Sequence, residues 1–403
     1  MKPRIDASIL PRGFEFSAVA CGLKKSGLDL GLITSEAPAT AACVFTTNLV
    51  KAAPVIISQT HLRCSAEKMS AIIVNSGNAN CATGAEGLAA ARRTAASVAR
   101  TLRCKPEQIL VCSTGVIGLP LRVERILRAV PSLATKRSKR PEAYAQFTRA
   151  IMTTDTRRKL AVGNCRIGGK KVRLLGCAKG AGMIHPNMAT MLAFVVTDAA
   201  ASPIVLRRAL RDAVAGTFNA ITVDGDTSTN DTLALLANGA SAARALRFGT
   251  ANYRKFLGAL KSVCRSLALQ IVTDGEGAHR VVEVEVRGAP SERAADTVAR
   301  TIANSPLVKT ALAGGDPNWG RILAAAGRSG VRFNPDRVEV RMAGILMCRD
   351  GRAHFFNERA AHRKLLAKNV PIAVNLHAGG GTARVWTCDF TGDYVRINAS
   401  YRS

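Results

Sequence analysis

Thr190 is the residue in this sequence best placed to do chemistry. It ends the stretch Lys179-Gly180-Ala181-Gly182-Met183-Ile184-His185-Pro186-Asn187-Met188-Ala189-Thr190 and precedes an apolar run over 191–196. The glycines allow backbone conformations that other residues avoid. Pro186 fixes its own φ and biases His185 away from helix. The apolar run reads as a buried strand or a helix start. A tight approach of this kind delivers one hydroxyl to the edge of a core element, as a nucleophile requires. On pattern alone, a loop with Thr190 bonding locally is the commoner meaning.

A second group of chemistry-bearing residues lies at 113–118, Ser-Thr-Gly-Val-Ile-Gly, after the strand-like run 109–112. A strand ending in a hydroxyl and a glycine can aim donors at one point, which is how an oxyanion site is built. An ordinary strand-to-helix loop is the reading that sequence alone favours. Asp224, Asp226 and Asp231 are spaced closely enough to suggest a cation. Carboxylates accepting from backbone donors in a polar loop are the simpler reading.

These residues resemble, in sequence, the ornithine acetyltransferase family, the self-cleaving glutamate N-acetyltransferases of arginine biosynthesis. Lys179-Gly-Ala-Gly-Met-Ile and Asn187-Met-Ala-Thr-Met-Leu are similar to that family's cleavage signature. Further family-like segments are 43–48, Asn75-Ser-Gly-Asn-Ala-Asn80, 113–118, 150–156, 219–231, 273–278 and 314–321, so the likeness runs from Gly13 to Ser403. The resemblance implies that the chain cuts itself between Ala189 and Thr190. The freed Thr190 then carries the acyl group. Thr114 and Gly115 would form the oxyanion hole. Thr153, Lys179, Thr190, Glu276, Asn398 and Ser403 would contact substrate. One departure stands out: Arg157-Arg158-Lys159 replaces the family's proline after the 153–156 run.

The chemistry suits these residue types. A threonine hydroxyl is a weak nucleophile until a base takes its proton, and an α-amine on the same residue can do so. Its reference pKa of about 7.7–8.0 fits a base near neutral pH. The implied reaction moves acetyl from N-acetylornithine to glutamate, with acetyl-CoA open as a second donor and no other cofactor or metal. Two other readings stand beside it: a self-processing aminopeptidase or amidase of similar fold, and a basic RNA-binding protein.

The elements that position these groups are partly legible. Residues 14–54 read as short strands with polar turns, and 71–74 and 109–112 as strands. Thr83-x-x-Glu86 is a capping box opening a helix with Leu88, Ala91, Ala95, Val98 and Leu102 on one face. Ser202-Pro203 opens another. A long helix carries Phe256, Leu260, Val263 and Leu267. Residues 281–286 alternate as a one-sided strand, and 385–389 and 394–399 read as two more strands. The fold class expected from the resemblance is α+β, a layered sandwich of helices and sheets of the ornithine acetyltransferase and self-processing aminopeptidase type. Residues 1–189 and 190–403 would be the two cut chains, with a smaller C-terminal α+β domain from about 281 to 403. Two chains of each kind would assemble.

Composition narrows the remainder. The 403 residues are 47% hydrophobic, with no long uncharged run that reads as a membrane span. The N-terminal residues lack a signal-peptide pattern. Eleven cysteines without a Cys-x-x-Cys pair, and six scattered histidines, suggest reduced thiols, no metal and a cytoplasmic setting. Lys plus Arg is 57 against 28 acids, a net charge of +29. The basic residues are dispersed, and aromatics are only 4%, too few for stacking platforms. Solvated faces, not a specific nucleic-acid site, are therefore the expectation.

Overall fold

The computed structural model describes residues 6–185 and 191–400. The predicted cut site, Ala189 and Thr190, lies outside the described residues, as does Ser403.

Two sheets organise the chain. The first contains β1 (Phe14–Val19), β2 (Leu30–Phe45), β3 (Lys68–Asn78), β4 (Ile109–Val116), β5 (Lys159–Ile167), β6 (Lys170–Lys179), β7 (Leu192–Thr197) and β8 (Thr232–Ala237). Their order is β4-β3-β2-β8-β7-β6-β5, with β1 added to β2. The β3–β4 and β7–β8 pairs are parallel. Helices α1 (Ala53–Cys64), α2 (Gly84–Leu102), α3 (Val123–Thr135), α4 (Pro141–Ala150), α5 (Pro203–Val214) and α6 (Ala251–Thr273) cover it. β7 shows why both faces need cover. Leu192, Phe194 and Val196 share a core with Tyr144 and Phe147 of α4. Ala193 and Val195 share another with Leu206, Leu210, Phe256 and Leu260 of α5 and α6. A strand buried on both sides reads as a continuous apolar run, as this one does.

The second sheet is β12-β11-β10-β13-β9-β14. Its strands are β9 (Val281–Ala289), β10 (Glu339–Met342), β11 (Ile345–Arg349), β12 (Arg352–Ala353), β13 (Asn369–Asn375) and β14 (Gly381–Cys388). Helices α7 (Glu292–Ala303), α8 (Pro306–Gly314), α9 (Trp319–Gly327) and α10 (Glu358–Leu365) cover its apolar face, and α11 (Gly392–Ser400) follows β14. β9 is one-sided as its alternation predicts: Val282, Val284 and Val286 are buried in the core, while Glu283 and Glu285 pair with Arg384. The architecture is α+β, layered as expected.

Several local expectations change. Residues 30–45 form one 16-residue strand whose register shifts between Thr34 and Ala39, because it serves β1, β3 and β8 in turn. Helix α1, absent from the sequence reading, begins at Ala53 with Pro54 in its first turn. Asn75 to Asn78 belong to β3 rather than to a loop. Thr83 caps α2 by position, but its hydroxyl donates to Asn80 Oδ1 at 3.0 Å instead of joining a capping box. Residues 394–399 are helical, not a strand. That helix buries none of its residues fully, so no apolar period marked it; Thr391 starts it by accepting from Asp393 N at 3.2 Å. Helix α6, at 23 residues, is long and apolar enough to cross a membrane by composition. It packs instead on β5 and β6 through Phe256, Leu260, Val263 and Leu267. All eleven cysteines are free thiols.

Candidate active site

The ends of β4 and β6, the turns after α4 and α6, and the exposed helix α11 converge on one cavity of about 250 Å³. Thr114, Gly115, Thr153, Lys179, Glu276 and Asn398 all line it. Residues scattered over almost three hundred positions of sequence thus meet around a space smaller than the roughly 300–1,000 Å³ typical of drug-sized ligands. Lys179, at the end of β6, lies opposite Leu192 in the β6–β7 register, two residues beyond Thr190 in sequence.

β3 and β4 end in parallel and are stitched there by amides. Ser113 Oγ donates to Asn75 Oδ1 at 2.6 Å, and Asn75 Nδ2 to Asn78 O at 2.9 Å. Asn230 Nδ2 bridges Ala79 O and Ser113 O at 2.7 and 2.9 Å. These bonds satisfy buried backbone carbonyls where the ladder shifts register. Gly115 sits at the shift with φ +132°, and a Cβ there would stand 2.4 Å from Gly77 C. Thr114 Oγ1 accepts from Lys179 Nζ at 3.2 Å. With the oxygen accepting from an ammonium, the hydroxyl's own hydrogen is left to donate.

Side chains of both charge signs line the cavity. Lys179 is buried, and burial lowers its pKa from the ordinary value, against the attraction of Asp155, Glu276 and Asp231. Glu276 Oε2 accepts from Asn398 Nδ2 at 2.9 Å. The Glu276 carboxylate lies so close to Gly182 that a Cβ there would be 2.3 Å from Oε2. A cation and an anion facing one small space match the two ends of an α-amino acid.

The chain entering the predicted cut segment is held by carboxylates. Asp224 accepts from Met183 N at 2.5 Å and Ile184 N at 2.8 Å, fixing Met183 at a left-handed φ of 55°. Beyond the segment, Met191 N donates to Asp231 Oδ1 at 2.8 Å. Burial raises the pKa of both carboxyls, Asp231 strongly. These aspartates serve backbone donors, the simpler of the two sequence readings. Tyr394 of α11 donates from its hydroxyl to Asp224 Oδ2 at 3.4 Å and stacks on Phe390, ring centroids 4.3 Å apart.

Sequence reasoning gave no role to Asp155, Asn230 or Tyr394. Asp155 stood inside the quoted 150–156 run, so a signal existed; Tyr394 was hidden by the strand reading of its segment. A larger hollow of about 780 Å³ involves the 314–321 segment, with Trp319 and Phe356 in its wall. It gathers none of the predicted site residues.

A model of the ArgJ family matches residues 15–403. The arginine biosynthesis bifunctional protein ArgJ of Thermotoga neapolitana is 46% identical over 398 residues, 98% of this chain and 100% of that protein. The protein of the same name from Geobacter sulfurreducens is 48% identical over 394 residues, 97% of this chain and 99% of its own length. Among solved structures, the arginine biosynthesis bifunctional protein argJ of Bacillus halodurans is 45% identical, with a TM-score of 0.51. It is matched along 100% of its chain by 53% of this one.

Proposed function

This chain belongs to the ArgJ family, and from that premise we propose that it transfers acetyl from N-acetylornithine to glutamate through an acetyl-Thr190 intermediate, after cutting itself between Ala189 and Thr190. The observation that carries this reading is the convergence of Thr114, Gly115, Thr153, Lys179, Glu276 and Asn398 on one amino-acid-sized cavity.

In the proposed sequence, the Thr190 hydroxyl attacks the Ala189 carbonyl carbon and the Ala189–Thr190 C–N bond breaks, which frees the Thr190 α-amine and leaves an ester on Thr190 Oγ; water then hydrolyses that ester to the Ala189 carboxylate and the free hydroxyl. That amine takes the hydroxyl proton in each later cycle. Thr114, whose oxygen accepts from Lys179, donates its hydrogen to the tetrahedral oxyanion beside Gly115. Lys179 holds the α-carboxylate that ornithine and glutamate share, and Glu276 accepts from the α-nitrogen, an amide N–H in N-acetylornithine and an amine in the free amino acids. Thr153, Asn398 and Ser403 meet the differing side-chain ends. Two cut chains of each kind pair into one assembly. Acetyl-CoA as a second donor fits the bifunctional name of the relatives.

One hydroxyl serves both half-reactions, so the mechanism is ping-pong. With glutamate absent, labelled ornithine should still enter N-acetylornithine, and mass spectrometry should find acetyl on the fragment that begins at Thr190. Exchange that requires glutamate would rule out the acyl-enzyme. Rapid hydrolysis without transfer would make the protein an amidase.

Thr114→Ala should slow transfer roughly 10²–10³-fold, the cost of one oxyanion donor, with KM moving far less. A raised KM at unchanged kcat would make Thr114 a binding residue.

A further inference from the structure

Below the cavity floor lies a buried ionic cluster that the proposed mechanism does not use. Lys159, wholly buried, donates from Nζ to Asp155 Oδ1 at 2.5 Å and to Asp274 Oδ2 at 2.6 Å. Asp274 also accepts from Thr156 N at 3.1 Å and Arg157 Nε at 3.1 Å. The Arg157-Arg158-Lys159 run therefore supplies two of the cluster's cations, Arg157 and Lys159.

Asp155 is where this cluster meets the cavity. Its Oδ2 accepts from Thr153 N at 3.0 Å, and its Oδ1 from Gly180 N at 2.7 Å. One carboxylate thus ties down the backbone of one cavity residue and the backbone next to another, Lys179. Lys24 braces the same turn from outside, donating to Met152 O at 3.0 Å.

We propose that Asp155 is a positioning residue for acyl transfer: by holding Thr153 N, Gly180 N and Lys159 Nζ at once, it sets the pose of Thr153 and of the backbone that presents Lys179 to the cavity. The proposal rests on the functional reading above, since it takes Lys179 to bind a substrate carboxylate as an ammonium. Burial would raise the Asp155 carboxyl, but Lys179, Lys159 and the Gly180 N–H outweigh it and hold the group at about 2. Asp155 is therefore an anion throughout the working range. Around Lys179, burial works against the ammonium most strongly, Asp155 is the leading attraction, Lys159 opposes it, and Glu276 and Asp231 help. Lys24 adds a further cation nearby.

The signs follow. Lys179 binds substrate while protonated, and that form is lost as pH rises through its pKa. Removing the Asp155 charge takes away the leading attraction, so the loss moves to lower pH. Removing the Lys159 charge takes away a repulsion, so the loss moves to higher pH.

The test measures Lys179 directly. Full-length wild type, Asp155→Asn and Lys159→Gln are labelled with trace deuterated acetic anhydride across pH, and the Lys179 peptide is read by mass spectrometry. The midpoint should fall in Asp155→Asn by roughly 1–3 pH units, the usual effect of one close opposite charge, and rise in Lys159→Gln. The alkaline limb of kcat/KM should move the same way in each variant. An unchanged midpoint in a folded Asp155→Asn overturns the proposal, because a purely structural carboxylate would leave it in place. If Asp155→Asn does not fold, Lys159→Gln decides: a rise supports the proposal and no change sinks it. Wild type that labels as expected but transfers no acetyl would reject the functional reading, while the labelling still reports on Asp155.

Discussion

Thr190→Ala should give a single uncut chain without transferase activity, where the wild type gives two associated fragments, 1–189 and 190–403. The substitution removes the hydroxyl that attacks Ala189, the ester that water would open, and the α-amine that the cut would create. The same atoms are then missing from the transfer reaction, so both functions fail together. The expected loss is roughly 10⁴–10⁶-fold, the range for removing one member of a nucleophilic triad. Thr190→Ser keeps a hydroxyl and an amine and should still be cut. Intact-mass spectrometry reads the outcome. Wild type that is active as one chain, or Thr190→Ala that is still cut, would end this account.

Gly115→Ala should damage both the fold and the rate. Gly115 holds φ +132°, a region closed to residues with a Cβ, and an added Cβ would meet Gly77 C at 2.4 Å and Asn78 N at 2.5 Å. Those atoms are backbone of the neighbouring strand, so no flexible side chain can yield. Backbone strain costs about 1–3 kcal/mol and overpacking about as much again. A loss of roughly 2–6 kcal/mol in urea unfolding is expected. Pushing β3 and β4 apart also displaces Thr114, so transfer in the surviving folded protein should fall at least as far as in Thr114→Ala. Wild-type stability with wild-type rate would show that the β3–β4 junction is softer than its geometry indicates.

The charge of the chain has a plain structural side. The cluster from Lys136 to Arg140 lies between α3 and α4. Arg137 pairs with Glu15, and Lys139 with Glu36. These cations ride on the fold's surface beside acids of β1 and β2.

By itself the sequence placed most of the buried elements, and together with the family likeness it named a candidate nucleophile. A hydroxyl after a small residue, approached through Gly180 and Gly182, could be named from residue types and from the family likeness. β7, α2, α5, α6 and β9 could be placed because each buries a face, and burial writes a period of 2 or 3.6, or an unbroken apolar run, into the chain. Elements without such a face left no mark. Helix α11 buries no whole residue, and the long strand β2 changes partners along its length, so in sequence one reads as a strand and the other as several short ones.

Only the tertiary structure decided how the cavity is held. Asp155 looks in sequence like any acid in a polar run, and Lys159 like a surface lysine. What distinguishes them is that Asp274, more than a hundred residues on, closes an ion pair over Lys159 away from water. Asn230 likewise reads as a turn former until Ala79 O and Ser113 O are found on its amide. Such roles arise from desolvation and from partners distant in sequence. Neither leaves a local period, because the pairing energy belongs to the assembled site and not to any stretch of chain.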